Sequence, residues 1–335
     1  MQTVVFKMKH LVACLGLTLA VTQASAQEKN YAEHPLAVEF IQEMNTEFGF
    51  LPEPLYELFA QAQRKQFILD AISRPAERVK LWKEYRPIFI TQARVDKGVE
   101  FWEQNKEALA RAEQEYGVPA EIIVAIIGVE TIYGGNTGGH RVIDALSTLA
   151  FDYPPRAPFF RQQLKEYLLL TREEQVNPLS LTGSYAGAMG LPQFMPGSFR
   201  AYAVDFDQDG HIDIWQNPTD AVGSVANYFI EHGWQPGEKV VVRADIKSAE
   251  KADKGLSDSL DPKITVQQLQ KLGWKPRAAI DKKTKVTAFR LDAQAGPEYW
   301  IGLANFHAIT RYNRSVMYAM AVNELAELLV ATRKD

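Results

Sequence analysis

The sequence predicts a mainly α-helical protein with a small β-containing region, α+β in class, and two observations carry that expectation. Apolar residues recur at helical spacing from Pro35 to Arg111, and helices joined by Gly- and Pro-rich loops continue across residues 140–235, whereas alternation of the strand type sets in after Gly237. The chain divides accordingly into an N-terminal helical region (27–112), a core (113–236), a small β-containing insertion (237–296) and a closing segment that returns to the helical part (297–335).

Residues 1–26 stand apart. Lys7 and Lys9 precede an apolar run from Leu11 to Val21, and Ala24-Ser25-Ala26 stands before polar Gln27, which is the pattern of a secretory signal peptide cleaved after Ala26. The apolar run is about half of the roughly 20 residues a bilayer span needs. The expected location is therefore the periplasm. A second reading takes Leu11-Val12-Ala13-Cys14 as a lipoprotein signal with Cys14 lipidated. Cys14 is the only cysteine, so the mature chain has no thiol for a disulfide, a metal or nucleophilic attack. At 335 residues the chain is long enough for two or three packed units. Its formal net charge of −4, made more negative by loss of Lys7 and Lys9, and its lack of basic runs exclude nucleic acid as an expected partner. A monomer is expected.

The elements follow in order. Leu55, Leu58 and Phe59, then Phe67 and Ile68, then Val99, Phe101 and Trp102 mark amphipathic helices. Pro119 sits at the first turn of a very apolar helix, Ala120 to Thr131, that stops at Gly134-Gly135. A helix apolar on most faces belongs in a core. Loops rich in small residues and proline follow at Gly183–Gly190 and Pro192–Pro196. Lys239–Arg243 and Val286–Leu291 read as strands, enclosing the charged stretch Lys247–Lys263 and a short helix near Val266. A helix over Ser315–Thr332 closes the chain, and no internal repeat is present.

Glu130 is the most informative residue for chemistry. It ends the segment Ile122–Val129, where apolar neighbours and the negative end of a helix both disfavour the ionised carboxylate, so its pKa should rise toward neutrality. A general acid for a glycosidic oxygen needs that property; a last-turn Glu reaching solvent is the plain alternative. Ser184 to Pro196 is dense in small residues that let a bulky polymer approach the backbone, with Ser184 and Gln193 as polar contacts; an ordinary tight loop fits equally. Asp205, Asp207, Asp209 and Asp213 occupy positions 1, 3, 5 and 9 of a calcium loop, with Gly210 at 6 and the main-chain carbonyl of His211 at 7. Position 12 is Gln216 instead of Glu, and Asp220 either closes a longer loop or caps the next helix. These ligands suit a structural hard cation, and no organic cofactor is implied. Asp144 and Asp152 are the acids nearest to Glu130, and Asp144 reads as a helix N-cap.

Glu130-Thr-Ile-Tyr133-Gly134, the run Ser184–Pro196 and Asn227-Tyr228-Phe229 resemble the membrane-bound lytic murein transglycosylase B family, and the similarity runs from Tyr85–Phe89 to Ile309–Ser315 and Tyr318–Met320. The resemblance implies a lysozyme-like helical core with Glu130 in a long cleft, an outer helical domain and a small β domain. It implies a calcium ion in the loop and a glycan of alternating N-acetylmuramic acid and N-acetylglucosamine as substrate. Ser184, Gln193, Tyr228, Tyr312, Asn313 and Tyr318 fall on family cleft residues, with Tyr85 and Tyr133 as neighbours. Arg156 matches one of a basic pair whose other place holds Pro155. Glu130 would then serve first as acid and next as base, giving a 1,6-anhydro sugar without water, and proteins that build or remodel the cell wall are possible partners. A lysozyme-type hydrolase using the same glutamate and a non-catalytic, calcium-dependent wall-binding protein are the rival readings.

Overall fold

The computed structural model describes residues 30–73 and 80–334, so the leader reading of residues 1–26, Cys14 included, lies outside the described residues. Six helices open the chain: α1 (Pro35–Phe48), α2 (Pro52–Gln61), α3 (Gln66–Ser73), α4 (Trp82–Phe89), α5 (Gln92–Gln104) and α6 (Lys106–Tyr116). Proline starts α1 and α2 at the turn where a backbone N–H has no helical partner, and Gly49 in the left-handed region ends α1. The buried stripe Ala37, Phe40, Ile41 and Met44 shows how the spacing is used: one face of α1 enters the core and the other stays wet.

The seventh helix, α7 (Ala120–Thr131), is the centre of the molecule, with every residue from Ile122 to Val129 buried. Burying each of its four isoleucines (Ile122, Ile123, Ile126, Ile127) contributes on the order of 1.5–3 kcal/mol. Two-residue strands β1 (His140–Arg141) and β2 (Thr182–Gly183) pair antiparallel around α8 (Val142–Asp152) and α9 (Ala157–Glu173). Then come α10 (Pro196–Tyr202) and α11 (Pro218–Glu231). The Asn217 side chain caps α11 by accepting the Thr219 N–H at 3.0 Å.

Asp144 does not cap α8. Arg141 holds that position, while buried Asp144 accepts the Gln63 backbone N–H at 2.9 Å and both Arg141 Nε and Nη2. A carboxylate with three charge-assisted or backbone donors is more useful tying α8 to the segment after α2 than capping its own helix. Asp152 does similar work, accepting from the Tyr31 hydroxyl at 2.6 Å and fastening the start of the described chain to the core.

The small sheet holds β3 (Val241–Ile246), β4 (Ile264–Thr265), β5 (Trp274–Pro276), β6 (Lys285–Ala293) and β7 (Gly296–Gly302), all antiparallel in the order β4-β6-β7-β3-β5. Short helices α12 (Ala249–Asp253) and α13 (Val266–Lys271) pack on it around Trp274, Ile301 and Val242. The sheet runs past the 237–296 stretch expected from the sequence, because Gly296-Pro297 reads as a turn yet starts the central strand. The chain returns through α14 (Ala304–Tyr312) to α15 (Val316–Lys334), which packs along α7 and also touches α4, α5 and α14. No single described helix is long and apolar enough to cross a membrane. The fold is mainly α-helical with one small antiparallel sheet.

Candidate active site

The site forms where the end of α7 meets the start of α15. Glu130, in the last turn of α7, is partly buried, and the Tyr318 hydroxyl donates to its Oε1 at 2.5 Å. Burial pushes the Glu130 pKa from 4.5 up to about 7, and the Tyr318 hydrogen bond, which favours the anion, opposes that rise without cancelling it. Three phenols lie in its field. Burial and then the negative charge of Glu130 raise Tyr85, Tyr312 and Tyr318 above the usual tyrosine range, so all three stay neutral donors at physiological pH. Among the described residues no second carboxylate perturbs Glu130.

The loop between β2 and α10 forms the neighbouring wall. Ser184 and Ala188 exchange backbone and side-chain bonds, with Ser184 Oγ accepting from the Ala188 N–H at 3.0 Å. That bond uses the oxygen as an acceptor and leaves the hydroxyl hydrogen to donate. Gln193 sits at φ 52, its Nε2 donating to the carbonyls of Thr137 and Gly190 at 3.1 and 3.0 Å, which leaves Oε1 for a ligand. Tyr312 donates to the Pro192 carbonyl at 2.5 Å, so α14 holds the same loop. Tyr228 is buried at the back, with rings of Tyr312 at 4.7 Å and His232 at 3.9 Å, and it shapes the wall more than it meets solvent.

Of three further sequence candidates, two are exposed and one turns inward. Arg156 is exposed at the α8–α9 junction, its guanidinium 4.5 Å from the Phe159 ring centre. Asn313 is exposed at the end of α14. Tyr133, expected beside the cleft, instead turns inward: its hydroxyl is buried without a hydrogen-bond partner, and its ring packs 5.5 Å from that of Phe101. The residue that sequence reasoning missed is Thr131, fully buried next to Glu130. Its hydroxyl contacts the carbonyls of Ile127 and Leu191 at 3.1 and 3.0 Å and receives the Gly134 N–H at 3.1 Å. Its signal was a polar side chain in an otherwise apolar helix.

The acidic loop lies behind the same wall. Asp205, Asp207 and Asp209 bring carboxylate oxygens within 4.8 Å of one another, a hard-oxygen cluster that fits calcium. Asp213 turns its carboxylate to the Trp215 and Gln216 N–H groups, at 2.8 and 2.9 Å. Asp220 does not cap α11, a position held by Asn217. Fully buried, it accepts the N–H groups of Phe206 and Asp213 at 2.7 and 2.8 Å and clasps both limbs of the loop. The loop is joined to the cleft wall by Leu191, whose N–H donates to the Ile214 carbonyl at 2.9 Å while its own carbonyl receives Thr131. Gly190 permits this approach: it has φ 68, and a Cβ there would lie 2.5 Å from the Ile214 carbonyl oxygen.

Because the Tyr318 bond favours the anion, Tyr318→Phe is expected to raise the Glu130 midpoint above about 7. A carboxyl ¹³C NMR titration reads this directly, and a midpoint that stayed or fell would contradict the assigned role.

Comparison with known proteins agrees with this geometry. A model of the transglycosylase SLT domain matches residues 32–327. Membrane-bound lytic murein transglycosylase B of Escherichia coli (strain K12) is 44% identical over 313 residues, covering 91% of this chain and 85% of that protein. The crystal structure of soluble lytic transglycosylase SltB1 from Pseudomonas aeruginosa is 61% identical with a TM-score of 0.87, covering 90% of this chain and 100% of that one. Escherichia coli lytic transglycosylase Slt35 in complex with calcium is 44% identical with a TM-score of 0.84, covering 93% of this chain and 99% of that one. With nearly the whole described chain matched and a partly buried glutamate where the helix α7 ends, this protein belongs to the transglycosylase SLT domain family, lysozyme-like lytic transglycosylases.

Proposed function

We infer that the protein is a lytic transglycosylase that cleaves the bond between N-acetylmuramic acid and N-acetylglucosamine in peptidoglycan, with Glu130 as its sole acid and base. The observation that carries the single-carboxyl mechanism is the isolation of Glu130: its pKa is pushed up to about 7 by burial, and no second carboxylate acts on it among the described residues. A two-carboxylate glycosidase needs its pair within about 5–10 Å.

Protonated Glu130 gives its proton to the glycosidic oxygen as the bond to the muramoyl C1 breaks. The substrate's own N-acetyl carbonyl stabilises the positive C1. Glu130, now a carboxylate held by Tyr318, takes the proton from the muramoyl 6-hydroxyl as that oxygen bonds to C1. The product is a 1,6-anhydro sugar, and Glu130 is protonated again. In this reading Ser184, Gln193, Tyr312 and Tyr85 hold the glycan, with Tyr228 behind them. Mass spectrometry of muropeptides released from purified peptidoglycan tests the assignment: anhydro ends, lighter by one water, are expected, and reducing ends alone would assign hydrolysis instead.

The loop over 205–213 is assigned to calcium as a structural ion, held by Asp205, Asp207, Asp209 and the His211 carbonyl; a solved relative that contains calcium supports this. When bound, the ion neutralises the clustered carboxylates and stiffens the loop. Chelation is expected to lower Tm by about 5–10 °C, as a ligand present at about 100 times its Kd adds near 2.7 kcal/mol. A melting curve indifferent to chelator would remove the ion from the account. A substrate that lies outside the inner membrane requires export, and the segment ending at Ala26 supplies the leader.

A further inference from the structure

The backbone leaving α7 is unusual. Ile132, Tyr133 and Gly134 take three successive left-handed conformations, at φ 54, 58 and 85. Left-handed geometry is strained for a non-glycine residue, and a β-branched isoleucine adopts it reluctantly. Such a turn persists only where its surroundings hold it.

The holder is the Tyr133 ring. It lies in a slot between α5 and α7 whose walls are Gly98 and Gly128. A Cβ added to Gly98 would come within 2.3 Å of the Tyr133 hydroxyl oxygen, and one added to Gly128 within 2.4 Å. Phe101 closes the slot. The hydroxyl has no hydrogen-bond partner, so the ring is anchored by shape. Arg94 of α5 is the charged group that acts on the phenol, and it is itself fixed by donating to the Ile88 carbonyl at 2.7 Å.

We propose that Tyr133 is a positioning residue: seated in the Gly98–Gly128 slot, its ring pins the left-handed turn that fixes the direction in which Glu130 points. This rests on Glu130 being the acid of the proposed reaction. The groups facing that carboxyl are Tyr318 from α15, Tyr312 from α14 and Tyr85 from α4. Tyr133 is not among them and acts through the backbone alone.

The test compares Tyr133→Phe, Tyr133→Leu and Gly98→Ala in the full chain, using kcat, KM and the pH profile on purified peptidoglycan. A misplacement near 1 Å costs about 10²-fold in rate. Tyr133→Leu and Gly98→Ala are therefore expected to lose about 10²-fold in kcat with KM within twofold. Their alkaline limb should move to lower pH as water reaches Glu130. Tyr133→Phe keeps the ring, so it should restore both. Equal losses in Phe and Leu would place the hydroxyl in the chemistry and overturn the proposal, as would a kcat loss with an unmoved limb in variants that retain the parent's near-ultraviolet circular dichroism. If Gly98→Ala does not fold, Tyr133→Leu decides by the same criteria. Failure of the underlying reading is separate: it would appear as reducing ends from the parent enzyme.

Discussion

Glu130→Gln is expected to lower muropeptide release by about 10⁴-fold while binding to purified peptidoglycan is kept. Glutamine fills the same volume, and its carbonyl can still accept from Tyr318, so the shape of the site survives. It can neither give nor take the proton. General acid–base catalysis supplies about 10²–10⁴-fold when one transfer is involved, and this carboxyl makes both transfers of the cycle, which puts the loss at the upper end. Release assays paired with sedimentation on insoluble peptidoglycan separate turnover from binding. Residual activity within tenfold of the parent would mean that another group carries the proton.

That carboxyl was half legible in the sequence: the apolar run Ile122–Val129 puts Glu130 at the end of a core helix but allows it to reach solvent, and the resemblance decided between the two. The acidic loop was legible because Asp205, Asp207 and Asp209 lie close together in the chain, so that their spacing alone clusters the carboxylates. Long-range contacts were not. Tyr228 and Tyr167 look alike in sequence, yet Tyr228 backs the cleft wall against Tyr312 while Tyr167 donates to the Pro178 carbonyl at 2.7 Å. Tyr133 follows Glu130 so closely that it reads as a cleft residue; its inward turn is decided by Gly98, on a different helix. Asp220 and Asp144 failed as caps for the same reason. Each accepts backbone N–H groups from another segment, Phe206 and Asp213 in one case and Gln63 in the other, and no local spacing announces such partners. β7 was missed because glycine and proline at its start outweigh the alternation that follows.

The same burial that tunes Glu130 for chemistry carries a stability cost with a definite pH signature. In the unfolded chain the carboxyl titrates near 4.5, and in the folded protein near 7. A folded pKa raised in this way leaves stability intact below pH 4.5, where the group is protonated in both states. Stability then falls as pH climbs through the window between the two values, since the unfolded chain releases its proton first. At 1.36 kcal/mol per unit the full cost above pH 7 is about 3 kcal/mol. Glu130→Gln cannot ionise and escapes it. The variant is therefore expected to gain stability over the parent progressively between pH 4.5 and 7, reaching about 3 kcal/mol at pH 8, measured by urea unfolding at several pH values. An offset between the two proteins that stayed constant with pH would show that Glu130 titrates alike in both states, and the acid role would lose its physical basis. An enzyme that gains stability when its proton carrier is removed is the mark of a site strained for function.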